Sequence, residues 1–170
     1  MWKEKIEEMV NIYAKYKKKL NSSCSENHIS EFQEEVYEDF GYKVPEEYTL
    51  FLSYINGVRF NGLVIYGVDD YITECNNNED TGFIESNELW YENAWQKEYM
   101  FFGHSSITWY CYDMQKKTYL ELDKPSGARG IEYSSFEELL DKALFNALPS
   151  DSKKKFTNIM GSKMQINHFN

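Results

Sequence analysis

Carboxylates are the residue type with the most obvious chemical potential in this 170-residue chain. Asp69-Asp70 is followed by Glu74 and Asp80, and hard divalent cations want several carboxylate oxygens. The spacing does not alternate acidic ligands around a central glycine and a closing glutamate, so it does not describe a calcium loop. The histidines, His28, His104 and His168, are scattered, with no HxxxH pair. His104-Ser105-Ser106 with Cys111 nearby has the residue types of a nucleophilic site, but its pattern holds no oriented base partner and no oxyanion turn. Glu121 and Asp123 share a strand face and could act as a carboxylate pair. Their alternation with Leu120 and Leu122 reads more simply as one solvated strand face. Gly57, Gly62 and Gly67 are spaced for turns, not for a GxGxxG or P-loop. Cys24, Cys75 and Cys111 are odd in number and far apart, which suggests reduced, mostly buried thiols rather than disulfides or a zinc site. No enzymatic activity, metal or cofactor is expected from these patterns.

Charge is distributed more tellingly. Between Arg59 and Lys97 there is no Lys or Arg, while the interval holds Asp69, Asp70, Glu74, Glu79, Asp80, Glu85, Glu88 and Glu92. Interleaved with them are Tyr71, Phe83, Trp90, Tyr91 and Trp95. A negative field raises the encounter rate with a basic protein, and desolvated rings supply anchors. The candidate partner-binding surface is therefore Asp69, Asp70, Tyr71, Glu74, Asp80, Glu85, Glu88, Trp90, Tyr91 and Glu92. A solvated acidic face with no partner is the plainer alternative. The net charge of −10 argues against a nucleic-acid binder and against attraction to anionic membranes. The lysines on the outer face of the first helix (Lys3, Lys5, Lys15, Lys17, Lys18, Lys19), clustered near its end, could be a basic anchor, but a solvated face complementing the helix dipole is the preferred reading.

These residues need elements to position them. Aromatic content of 17%, with 14 Tyr and 11 Phe, suggests a sheet-rich core. Trp2, Ile6, Met9, Val10, Tyr13 and Leu20 predict a helix over about 2–20. Ser25 or Asn27 caps a second helix with inner face Ile29, Phe32, Val36 and Phe40, stopped by Gly41. Pro45 suits the first position of a third helix carrying Tyr48, Phe51, Leu52 and Ile55, with Gly57 free to take the left-handed cap. Asn61-Gly62 is a turn, and Leu63–Tyr66 a short strand. Residues 69–80, with Asn76-Asn77-Asn78, read as irregular; a helix over about 84–97 would bury Leu89, Trp90 and Trp95. Tyr99–Gly103, Ile107–Asp113 and Thr118–Asp123 read as consecutive strands, and Ile131–Tyr133 as a short further one. Ser135 and Glu138 form a capping box for a helix with Phe136, Leu139, Leu140, Ala143, Leu144 and Leu148, closed by Pro149. Residues 150–170 suggest one more short helix with Phe156, Ile159 and Met160. The start of the chain lacks an apolar stretch and a small-residue cleavage site, so a cytosolic protein is expected.

The order of several short pieces carries a resemblance. Ile29-Ser30-Glu31-Phe32, Val44-Pro45, Tyr48-Thr49-Leu50-Phe51-Leu52, Asn56-Gly57 and Ile65-Tyr66-Gly67-Val68 come first. Phe102-Gly103, Tyr112-Asp113 and Ser135-Phe136-Glu137-Glu138-Leu139-Leu140 follow. Together they resemble the SUKH superfamily of yeast cell-wall-assembly regulators and bacterial immunity proteins, with Val44 in place of the usual leucine. The resemblance implies one α+β domain over 1–170: a mainly antiparallel sheet of five or six strands, a core at about 25–148, the helix at 2–20, and an extension at 150–170. It also implies a non-enzymatic cytosolic antidote to a cognate toxin protein, basic and often a nuclease, acting as a monomer or weak dimer. An intracellular regulatory or scaffold module is the alternative that the yeast relatives suggest.

Overall fold

The computed structural model describes residues 1–74 and 82–166, with side chains as far as residue 158. Asp80, Cys75, Asn76, Asn77, Asn78, Glu79 and His168 lie outside the described residues, as do the side chains of Ile159 and Met160. The helices are α1 Trp2–Lys15, α2 Glu26–Phe40, α3 Glu46–Tyr54, α4 Asp70–Thr73, α5 Phe83–Trp90, α6 Phe136–Ala147 and α7 Ser150–Ile166. The strands are β1 Val58–Phe60, β2 Leu63–Ile65, β3 Tyr99–His104, β4 Thr108–Asp113, β5 Thr118–Asp123 and β6 Arg129–Tyr133. All pair in sequence order as one antiparallel meander, so the α+β architecture is the expected one.

The stretch from Val44 to Val68 sits at the centre. Pro45 is the N-cap of α3, one position before the expected one, and Glu46 and Glu47 occupy the first turn, where the dipole favours them. The helix stops at Tyr54 because Ile55 is already extended. Gly57 does take a left-handed conformation, φ +77°, but beyond the helix, where the backbone passes Gly67. A Cβ there would lie 2.9 Å from the Gly67 nitrogen. The Asn56 side chain ties the crossing by accepting from the Val68 N–H at 2.7 Å. Asn61 and Gly62, φ +48° and +82°, form the two-residue loop that pairs Phe60 with Leu63.

One sheet face packs on α3 and α6. Tyr48, Phe102 and Phe136 meet there with ring centroids 5.0–5.4 Å apart. Burial of the Tyr48 hydroxyl is matched by its donation to the Tyr66 carbonyl at 2.8 Å. Helix α6 starts as expected at Ser135, which accepts from the Glu138 N–H; the Glu138 carboxylate answers to Ser134, one residue earlier than a standard box.

Three expectations need correction. Helix α1 ends at Lys15, short of residue 20, because Lys17 turns left-handed (φ +56°) and the Lys18 N–H closes back on the Tyr13 carbonyl. Lys5, expected on the solvated face, is 2% exposed and pairs with Asp141 of α6 at 2.6 Å. The single helix expected over 84–97 is two elements, α5 and a 3₁₀ turn at Ala94–Glu98. Leu89 and Trp95 are exposed, and Phe83, Ile84, Ser86 and Asn87 face inward instead. The break follows from Tyr91, whose hydroxyl donates to the Tyr99 carbonyl at 2.7 Å and contacts the Tyr42 hydroxyl at 2.8 Å.

Helix α5 also repairs the sheet. Strand β2 ends at Ile65 and reaches only Gly103 and His104 of β3. Beyond that point the Phe101 backbone has no strand partner on that side among the described residues. The Asn87 amide takes the vacant place: its Nδ2 donates to the Phe101 carbonyl and its Oδ1 accepts from the Phe101 N–H, both at 2.9 Å. One side chain thus stands in for a strand residue at a buried edge.

Candidate functional site

Asp69 is fully buried. Its two carboxylate oxygens accept from the Ile84 and Glu85 N–H groups, each at 2.9 Å. It therefore caps α5 from across the chain, a helix whose own N-cap, Gly82, has no side chain to do so. Gly82 permits the approach, since a Cβ there would collide with the Asp69 side chain. Burial pushes the Asp69 carboxyl up to about 6, against the downward pull of the two N–H donors. Asp69 has no surface to offer a partner and leaves the candidate set.

Asp70 is half-buried on α4, Tyr71 is 51% exposed, and Glu74 is exposed at its end. The Tyr71 hydroxyl donates to Glu35 of α2 at 3.1 Å. That contact joins the expected segment to a helix that sequence spacing did not connect with it. Helix α2 carries Glu26, Glu31, Glu34, Glu35, Glu38 and Asp39 and neither Lys nor Arg. All but the half-buried Glu35 are exposed.

Helix α5 lies alongside. Phe32 meets Phe83 at 5.5 Å, and Phe40 meets Tyr91 at 5.3 Å, so the two helices run in the same direction. Glu85, Glu88 and Glu92 are exposed on this neighbour. The outer faces of α2 and α5, with α4 against α2, thus form one acidic surface. Trp90 and Tyr91 are only partly available to it. The Trp90 Nε1–H donates to the Tyr66 hydroxyl at 2.8 Å, and Tyr91 is held at Tyr99 and Tyr42. Tyr71 and the 40%-exposed Trp95 are the freer rings of the region.

Helix stability does not account for this charge. Glu31/Glu34, Glu31/Glu35, Glu34/Glu38, Glu35/Glu38 and Glu35/Asp39 are like-charge pairs at i,i+3 or i,i+4 spacing. At ~0.2–0.5 kcal/mol each they cost α2 about 1–2.5 kcal/mol. Glu38 and Asp39 also sit in the last turn, with no basic residue there to suit the dipole. An ordinary solvated face mixes signs; this one does not. The acidic composition of α2 was readable in the sequence, but its alignment with α5 was not.

Among the described residues, the groups of the alternative chemistries are engaged in structural contacts. The His104 Nδ1 lies 2.8 Å from the Tyr66 hydroxyl, and burial, then Lys124 and Arg59, hold its ring down to about 4, so it stays neutral. Cys24 and Cys111 are buried, and burial pushes the Cys111 thiol up, away from the reactive thiolate. Glu121 accepts from the Tyr133 hydroxyl at 2.6 Å instead of pairing with Asp123. Among the described residues no cluster of three His, Cys, Asp or Glu could hold a metal ion, and no helix is long and apolar enough to cross a membrane.

A family model described as the SMI1 / KNR4 family (SUKH-1) matches residues 23–142. That span runs from before α2 to the middle of α6, and so includes the acidic surface and the whole sheet. No curated protein gives a match.

Proposed function

The chain belongs to the SMI1 / KNR4 family (SUKH-1), and on that premise we propose that it is a cytosolic immunity protein. It binds a basic toxin domain, of which a nuclease is the leading type, and blocks it by occupying its active surface. The observation that carries this reading is the acidic surface of α2, α4 and α5, three helices that carry no Lys or Arg. A nuclease holds phosphates with a positive surface, and a negative one of similar extent competes for it without chemistry of its own. The contact set is Asp70, Tyr71, Glu74, Glu85, Glu88 and Glu92, extended by Glu31, Glu34, Glu35 and Glu38 of α2. Asp69 is excluded by its burial.

The test is growth rescue. A toxin domain encoded beside this gene is expressed with and without the protein, and viability and co-purification are followed. The variant Glu34→Gln/Glu38→Gln/Glu85→Gln/Glu88→Gln should bind that toxin at least tenfold more weakly and with a flatter salt dependence. Rescue by the wild type with unchanged affinity in the variant would place the contact elsewhere. Failure of rescue, with capture of a host protein instead, would favour a regulatory module.

A further inference from the structure

On the sheet face that carries Phe101, two indoles hold a cation of the chain's own. The Lys124 Nζ lies 4.9 Å from the Trp90 ring centroid and 5.7 Å from that of Trp109. The two rings meet edge to face at 5.4 Å, and Trp95 packs behind them against Trp109 at 6.2 Å. Among the described residues no carboxylate lies within ion-pair distance of Lys124. Burial pushes its ammonium below the usual lysine range. The charge is therefore partly stripped of water and compensated by ring faces alone.

The Trp90 indole is fixed by its bond to Tyr66, and Trp109 is 4% exposed, so the cage is rigid. Its occupant is not. Lys124 follows the end of β5 on a four-carbon stem.

We propose that Trp90 and Trp109, backed by Trp95, form an anchor site for an arginine or lysine side chain of the basic partner, with Lys124 as its resident competitor. The proposal rests on the reading that the partner is basic. Trp90 ends α5, the helix bearing Glu85 and Glu88, so a protein docked on the acidic surface comes within reach of the cage. Arginine suits the exchange, because its flat guanidinium is more weakly hydrated than the ammonium it displaces. Lys124 returns to water, which offsets part of the cost of stripping the newcomer.

The test uses the full chain, with N-acetyl-arginine amide as probe and the indole Nε1–H signals as readout. The buried Trp109 Nε1–H has no hydrogen-bond partner among the described residues, so its shift reports the field at the ring. Trp2, on α1 with the Lys3 Nζ 5.3 Å from its ring centroid, is the internal control for cation contact that residue 124 does not govern. A site occupied by its own lysine binds a competitor more weakly in proportion to the vacant fraction. Lys124→Met should therefore bind the probe about fivefold or more tightly than wild type, and Lys124→Arg more weakly than wild type. The shifts of Trp90 and Trp109 should change with the residue at position 124, and that of Trp2 should not. A flat series, or shifts shared equally by Trp2, would overturn the proposal. Should Lys124→Met lose its folded spectrum, the wild-type and Lys124→Arg comparison decides alone. Because no toxin enters this experiment, its failure leaves the acidic-surface reading intact, and a failed rescue leaves the cage result intact.

Discussion

Replacing Asn87 with alanine isolates one side chain that completes a β-sheet. Asn87 is fully buried and makes three hydrogen bonds, to the Phe83 carbonyl at 2.8 Å and to both backbone groups of Phe101 at 2.9 Å. Phe101 is itself fully buried, so its N–H and C=O would lose their partner with no solvent at hand. Each orphaned group costs about 1–3 kcal/mol, giving about 4 kcal/mol for the pair. Alanine's better helix propensity returns only ~0.5 kcal/mol. Asn87→Asp is a sharper probe. It keeps an acceptor for the Phe101 N–H but turns a carboxylate oxygen toward two carbonyls, and should be at least as damaging. The assay is urea unfolding with native-state hydrogen exchange. At a slope of ~2 kcal/mol per molar urea, the midpoint should fall by about 2 M. The Phe101 amide should lose protection more than its neighbours in β3. A midpoint shift under ~0.5 M, with Phe101 still protected, would falsify the view that Asn87 stands in for a strand.

Salt should stabilise the protein, because screening relieves the like-charge pairs of α2; Glu34→Gln/Glu38→Gln should raise the melting temperature at low salt and flatten its salt dependence. At the α1–α6 contact, Asp141→Asn leaves the Lys5 ammonium buried without its partner and should cost about 3 kcal/mol or more, whereas Lys5→Met/Asp141→Leu should cost far less, as thermal and urea midpoints will show. Two groups oppose each other between about pH 4 and 6. His104 is held down to about 4 in the folded chain, so its contribution is lost as pH falls below the ordinary histidine range; Asp69 is raised to about 6, so its contribution is present at low pH and lost as pH rises through 6. Melting curves across that window should therefore tilt in opposite directions: His104→Gln should gain stability relative to wild type on acidification, and Asp69→Asn should lose it. Loss from Glu8, Asp113 and Glu138, all held below the usual carboxylate range, is common to every variant.

Features that depend on local chemistry were legible in the residues alone. Ser25 and Ser135 cap helices because their hydroxyls reach an N–H three residues on, and Gly41 stops α2 with a left-handed φ of +74°. Asn61-Gly62 makes a tight hairpin, and Thr118–Asp123 is a strand with the expected bounds. Each depends on residues within a few positions of one another. The family and its fold were legible for the same reason, since short pieces of this kind recur in order.

Tertiary structure decided which of these residues water can reach. Lys5 reads as solvated in α1, yet the Asp141 carboxylate, far along the chain, lets it bury its charge. Asp69 reads as one acid among several, yet α5 lacks a side-chain cap of its own and draws the carboxylate inward. The same rule shaped the candidate surface. The acidic faces of α2 and α5 are separate in sequence, and the ring contacts Phe32–Phe83 and Phe40–Tyr91 align them into one. Burial is a property of the neighbour that covers a residue, and only the folded chain supplies that neighbour.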